Sequence, residues 1–179
     1  AAVRVTGKAG APMTQAVEEV LGDSITGGLV VVKEGHGGPT QRVELVEAGH
    51  PVPTEAALTA GARVLALAQD AQAGDLVIVV LSGGGSALLE STGVTLADLQ
   101  ALTAALLACG ATIGEINCLR KHLSLIKGGQ LARAVYPARL VTLVLSDVVG
   151  SPLDVIASGP TVPDPSTWED AWHIVVKYD

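Results

Sequence analysis

The sequence predicts an α/β protein, a three-layer, Rossmann-like domain on a mainly parallel sheet, and three observations carry that prediction. Continuous apolar runs at residues 29–32, 76–81 and 140–145 read as strands buried on both faces, the pattern of a parallel sheet covered above and below. Stretches of helical periodicity separate them, which implies right-handed crossovers between parallel strands. Phe is absent and aromatic residues make up only 2% of the 179 residues. The core must therefore be assembled from Ala, Val, Leu and Ile, which suits close packing of helix on sheet.

The elements follow in order. Residues 3–6 read as a first strand, 11–21 as a helix, 29–32 as a second strand, and 43–46 as a short strand suited to a sheet edge. After Pro51-Val52-Pro53, Thr54 is a good N-cap, and Leu58, Ala62, Leu65 and Gln69 step along a helix with one mostly apolar face. Residues 76–81 form the central strand. Thr95 with Asp98 resembles a capping box built with the shorter acid, opening a helix that carries Leu99, Leu102 and Leu106. A further helical pattern covers 113–126, and 140–145 is the last buried strand. Residues 163–167 give a turn and cap signal, followed by Trp168, Trp172 and Val175 at helical spacing. The chain opens on Ala1 without an initiator Met and closes on Asp179 without a helix cap, so a portion of a longer protein is expected.

Composition excludes several classes of function. A chain of 179 residues suffices for one domain, burying roughly 70% of its unfolded surface without disulfides or metal. The net charge of −7 argues against a general grip on nucleic acid or on an anionic membrane, so any anionic ligand must be held by local groups. No apolar run reaches the length of a membrane span, and no signal peptide is visible. Cys109 and Cys118 form no C-x-x-C pattern, which fits a reduced cytoplasmic protein with ordinary buried thiols. His36, His50, His122 and His173 lack ligand spacing, which argues against structural zinc.

In sheets of this class ligands bind beyond the carboxyl ends of the strands, and three polar segments follow predicted strand ends. After the central strand come Ser82, Gly83, Gly84, Gly85 and Ser86. Three glycines remove every Cβ from this turn, so it is either a cradle for phosphate or carboxylate or simply a tight strand-to-helix turn. Lys8, in Thr6-Gly7-Lys8-Ala9-Gly10, stands at the start of a helix, where a cation opposes the dipole. It answers either a bound anion or solvent. Ser146-Asp147 follows the last strand; Asp147 can hold magnesium, orient a hydroxyl, accept its proton, or cap a neighbouring helix. A second cationic segment carries Asn117, Arg120, Ser124 and Lys127 at helical spacings of three and four, either a binding face or a solvated one. His122 can shuttle a proton or serve structurally, and Ser158-Gly159-Pro160-Thr161 reads as a turn near the cleft with a hydroxyl to offer.

Taken together these segments resemble the N-terminal part of the glycerate 2-kinase family whose members carry a C-terminal MOFRL domain. The matching residues are Gly7-Lys8-Ala9, residues 47–53 (EAGHPVP), 81–88 (LSGGGSAL), Asn117 with 120–124 (RKHLS) and 127–129 (KGG), 146–150 (SDVVG) and 156–161 (IASGPT). The resemblance implies a kinase, a transferase that phosphorylates D-glycerate at its 2-hydroxyl with ATP and magnesium. Residues 1–179 would be a partial N-terminal α/β domain supplying one wall of the cleft, and the absent MOFRL domain the other. Lys8, Arg120 and Asp147 are then the candidate catalytic residues, with Asp147 also the candidate metal ligand. Residues Ser82 to Ser86 would hold the nucleotide, and Asn117, Lys127 and Ser158 the substrate. Where the family pattern continues with Asp after 146–150, this chain has Ser151. A small-anion or nucleotide-binding fragment without turnover, and a hydroxypyruvate reductase, remain the alternatives. The reductase lacks its G-x-G-x-x-G spacing. Homo-oligomerisation is left open.

Overall fold

The computed structural model of the chain describes residues 2–7, 9–50, 52–146 and 148–178, the first five by their backbone. In chain order the elements are β1 (Ala2–Thr6), α1 (Gly10–Leu21), β2 (Gly27–Lys33), β3 (Glu44–Ala48), α2 (Glu55–Gln69), β4 (Leu76–Ser82), α3 (Gly85–Leu88), α4 (Leu96–Ala108), α5 (Ile113–Leu123), α6 (Gln130–Val135), β5 (Arg139–Leu145) and α7 (Trp168–Tyr178). The strands form one sheet in the order β3-β2-β1-β4-β5, with every neighbouring pair parallel. The chain thus winds outward from β1 in one direction, then returns to lay β4 on its other side. The switch point lies between β1 and β4, where Thr6 pairs with Leu81; in sheets of this class the ligand crevice forms outside the strands' carboxyl ends at such a point.

Alternation along each strand sorts the core into two layers. Leu29, Val31, Val77, Val79 and Leu81 pack with Ala57, Ala60, Val64 and Ala68 of α2 and Leu131 and Val135 of α6. Val30, Val32, Ile78 and Val80 face the opposite side with Ala11 of α1. Small residues on α2 let that helix approach the sheet closely, the arrangement a core without Phe requires. A satellite cluster joins Leu106 of α4, Ile116 and Leu119 of α5 and Ala171 of α7. The caps at Thr54 and Thr95 form as expected, accepting from the Ala57 and Asp98 N–H groups at 3.4 and 3.1 Å. Among the described residues no helix is long and apolar enough to cross a membrane.

Three expectations change. The strand over 140–145 is not buried on both faces: Val141, Leu143 and Leu145 are 44%, 46% and 55% exposed, because β5 is an edge strand with one face uncovered. The helix over 113–126 stops at Leu123. Ser124 is extended, and its hydroxyl accepts from the Ile126 and Lys127 N–H groups at 3.1 Å each, bonds that compete with helix continuation. The thiols are both free, but only Cys118 is buried; Cys109 is exposed at the end of α4.

Candidate functional site

The glycine-rich turn lies directly against the end of β1. Gly7 adopts φ +123°, and a Cβ there would lie 2.2 Å from Ser82 Oγ and 2.6 Å from the Ser82 carbonyl oxygen, so this approach admits no side chain. Ser82 is buried, and its hydroxyl accepts the Ala9 N–H at 3.0 Å, which ties the β1–α1 turn to the end of β4. Beyond Ser82, Gly84 takes the left-handed conformation at φ +83° and turns the chain into the single-turn helix α3.

The cationic segment reaches this turn from α5. Thr112 and Glu115 form a full capping box, and Arg120, Lys121 and His122 occupy the last turn, where the dipole favours positive charge. Arg120 Nη2 donates to the Ser86 carbonyl and to Glu90 Oε2, both at 3.1 Å. Glu90 Oε2 also receives Lys127 Nζ at 2.6 Å, and the same ammonium donates to the Leu89 carbonyl at 3.1 Å. Glu90 and Lys127 are each only 1% exposed and Arg120 9%, so one carboxylate sits between two cations inside the protein. Burial pushes the Lys127 ammonium down to about 8, with Glu90 opposing and Arg120 reinforcing the shift. Arg120 Nε is buried with no hydrogen-bond partner among the described residues.

Arg120 also lines a cleft of about 360 Å³ with His50, Gly83, Gly84, Ser86 and Asn117, closed on its apolar side by Ile116, Val155 and Ile156. Ser86 Oγ lies 2.7 Å from Ser158 Oγ. Ser158 is fully buried and sits in a run of three left-handed residues, with φ of 51°, 59° and 56° at Ala157, Ser158 and Gly159. For Ala157 and Ser158 that backbone costs roughly 1–2 kcal/mol each. It is held by Gly128 and Gly129, whose N–H groups donate to the Ser158 and Gly159 carbonyls at 3.0 and 2.8 Å. Lys121 turns the other way, to Asp164 at 3.3 Å and Asp154 at 3.7 Å. Burial opposes ionisation of Asp164, but the Ser166 N–H and hydroxyl and the Lys121 ammonium outweigh it and hold the carboxyl below its usual value.

Residues 2–179 match the sequence pattern of the family described as Domain of unknown function (DUF4147). The chain belongs to that family. This DUF4147 chain is 53% identical over 175 residues to the D-glycerate 2-kinase of Thermotoga maritima, covering 96% of the chain and 42% of the relative. It is 44% identical over 188 residues to the glycerate kinase of Homo sapiens, covering 96% and 36%. A crystal structure of a glycerate kinase from Thermotoga maritima superimposes with a TM-score of 0.94 at 52% identity, over 99% of this chain and 44% of that one. Two relatives from Agrobacterium vitis, 52% and 49% identical, carry a provisional hydroxypyruvate reductase name. The chain spans about 36% to 45% of the length of these curated relatives.

In the DUF4147 chain, Gly83, Gly84, Ser86, Asn117 and Arg120 line one cleft, and Ser158 joins them through Ser86. Ser82, at the end of β4, and Gly85, at the start of α3, are buried. Lys127 does not share the helical face of Asn117 and Arg120: it lies beyond the end of α5, and its ammonium is buried against Glu90 rather than turned to the cleft. His122 Nδ1 lies 2.9 Å from the Cys118 carbonyl and its ring packs edge-on to Trp168 at 4.8 Å, a structural setting. Lys8 and Asp147 lie outside the described residues. The sequence reading missed Glu90, whose signal was an acid directly after the apolar Ala87-Leu88-Leu89, and His50 as a lining residue.

Proposed function

We propose that this chain is the N-terminal α/β portion of a longer polypeptide that phosphorylates D-glycerate to 2-phosphoglycerate with ATP. It would supply one wall of the cleft, a C-terminal MOFRL domain the other. The observation that carries this reading is the convergence of Arg120, Asn117 and the Gly83–Gly84–Ser86 turn on one concave surface beside the β1–β4 switch. The names of the glycerate kinase relatives support it.

Phosphoryl transfer asks a protein for positioning and charge neutralisation. The glycerate 2-hydroxyl oxygen bonds to the γ-phosphorus of ATP as the bridge to the β-phosphate breaks, the hydroxyl proton passing to the Asp147 carboxylate or to water and ADP leaving with the bridging electron pair. Ser82, Gly83, Gly84, Gly85 and Ser86 would cradle phosphate, with Cβ atoms absent from the three central positions. Arg120 lines the cleft and offers a planar fork to carboxylate or phosphate. Asn117 would orient glycerate from the preceding turn of α5. Ser158 would contribute by holding the Ser86 hydroxyl, and Lys127 from behind through Glu90 rather than by touching substrate. Lys8 would neutralise the transferring phosphoryl group or the glycerate carboxylate.

Magnesium enters this reading through Asp147, which would position the metal or the attacking hydroxyl, and through the nucleotide's own phosphates. Among the described residues no group of three or more His, Cys, Asp or Glu is arranged to hold a metal ion. Free Cys109 and Cys118 fit a reducing, cytoplasmic setting.

The test is ATP- and D-glycerate-dependent ADP release by the complete polypeptide, with Lys8→Ala expected to lower kcat/KM at least about 100-fold, the scale of losing one charge-stabilising group. Wild-type activity in that variant removes Lys8 from the mechanism. ATP or glycerate binding without ADP formation replaces the kinase by a binding module, and NADH oxidation with hydroxypyruvate replaces it by the reductase.

A further inference from the structure

We propose that Glu90, which touches no substrate, is the positioning residue for Arg120. It fixes the guanidinium by Nη2 at the wall of the cleft so that the remaining donors meet an oxyanion. The inference rests on the kinase reading for the identity of that anion, but not for its geometry.

Glu90 follows the turn of α3, and its carboxylate is 1% exposed. Both cations converge on one oxygen, Oε2, with Arg120 Nη2 at 3.1 Å and Lys127 Nζ at 2.6 Å. The backbone around Glu90 is held just as closely. A Cβ on Gly61 of α2 would fall 1.9 Å from the Glu90 carbonyl oxygen, so α2 packs directly onto this peptide and leaves it no room to shift. Leu125 N and Ser124 Oγ both donate to the Ser91 carbonyl, at 2.8 and 3.2 Å, which clamps the next residue to the segment that carries Lys127. A rigid backbone therefore delivers a rigid carboxylate to the arginine.

The charges explain why two cations are needed. Arg120 paired with Glu90 alone would be neutral and poorly suited to an anion. With Lys127 compensating the carboxylate, the three groups keep one net positive charge, and Arg120 is the member that lines the cleft. Nη2 is committed to Glu90 and to the Ser86 carbonyl, while Nε has no acceptor among the described residues. A buried donor without an acceptor is costly and uncommon. Nε itself is sealed from solvent while Arg120 as a whole lines the cleft, so an oxyanion entering there meets the guanidinium by the donors that Glu90 and the Ser86 carbonyl leave uncommitted. Because Nη2 also holds the Ser86 carbonyl, Glu90 indirectly sets the arginine's distance from the turn.

The experiment follows the Arg120 Nε–H resonance in ¹H–¹⁵N spectra of the 179-residue chain, titrated separately with D-glycerate and with inorganic phosphate. In the wild type the resonance is expected to move with one of them: with D-glycerate if the partner is a carboxylate, with phosphate if it is a phosphoryl group. In Glu90→Gln the backbone spectrum persists and that movement is lost. Should Glu90→Gln fail to fold, Glu90→Asp, which keeps the charge but withdraws it by one methylene, is expected to retain the fold with a reduced response. A resonance that responds equally in wild type and variant makes Glu90 merely structural, and one that responds to neither anion in the wild type removes the oxyanion site; either overturns the proposal. Absence of ADP release by the complete polypeptide, with the resonance still responding, overturns only the kinase reading.

Discussion

Replacing Lys127 by methionine keeps the aliphatic stem and removes the charge, and its consequences follow from the burial of the ammonium. At pH 7 the substitution breaks a contact of 2.6 Å to Glu90 and leaves the Leu89 carbonyl without its 3.1 Å donor. Removing one partner of a buried ion pair costs about 3–5 kcal/mol. Arg120 still faces Glu90 at 3.1 Å, and removing the ammonium also removes its own burial cost, which outweighs the attraction of Glu90, so the expected loss at pH 7 falls below that range. The pH dependence gives a sharper signature. The ammonium titrates at about 8 in the folded chain against 10.5 when unfolded. Below pH 8 it is protonated in both states and contributes no slope. Between pH 8 and 10.5 the unfolded chain holds the proton more tightly, so folding stability rises with pH, by on the order of 3 kcal/mol across the window. That contribution is complete above 10.5 and is lost as the pH falls through 8. Urea denaturation followed by far-UV circular dichroism at half-unit pH steps measures it, with Lys127→Met as the reference lacking the group. Parallel stability curves for the two chains, or a wild type that weakens relative to the variant over this window, would refute the burial argument.

Two further outcomes concern the turns that shape the site. Thr54→Ala removes the acceptor for the Ala57 N–H at the start of α2 and should cost about 1 kcal/mol in the same denaturation experiment; an unchanged midpoint would mean the cap carries no load. Gly84→Ala forces a Cβ onto a residue at φ +83° and should lower stability by about 1–2 kcal/mol, whereas a variant as stable as the wild type would show that the turn relaxes out of the left-handed conformation.

Much of the fold was legible in the chain. The runs that became β2 and β4 are uninterrupted because both of their faces are covered, and the caps at Thr54 and Thr95 depend only on residues within the next turn. The last strand misled because Val and Leu alternate just as densely on an edge strand with one open face as on a central one. The end of α5 misled because a serine hydroxyl, two residues before Ile126, captured the N–H groups that would have continued the helix. Within the site, the glycine turn and Arg120 stood out by residue type. Glu90 did not, since an isolated acid is ordinarily solvated, and its two counter-charges come from α5 and the segment just beyond it, which only the tertiary fold brings to it.

What this sequence determined alone is what short-range forces decide: which stretches are strand or helix, where a cap sits, and where backbone can turn without side chains. The tertiary structure decided which charges leave water and which partner each finds there. Lys127 exchanged a predicted place in the cleft for one behind it, because the energy of an ammonium depends on the dielectric and counter-ion that distant segments bring to it, and no local pattern encodes either.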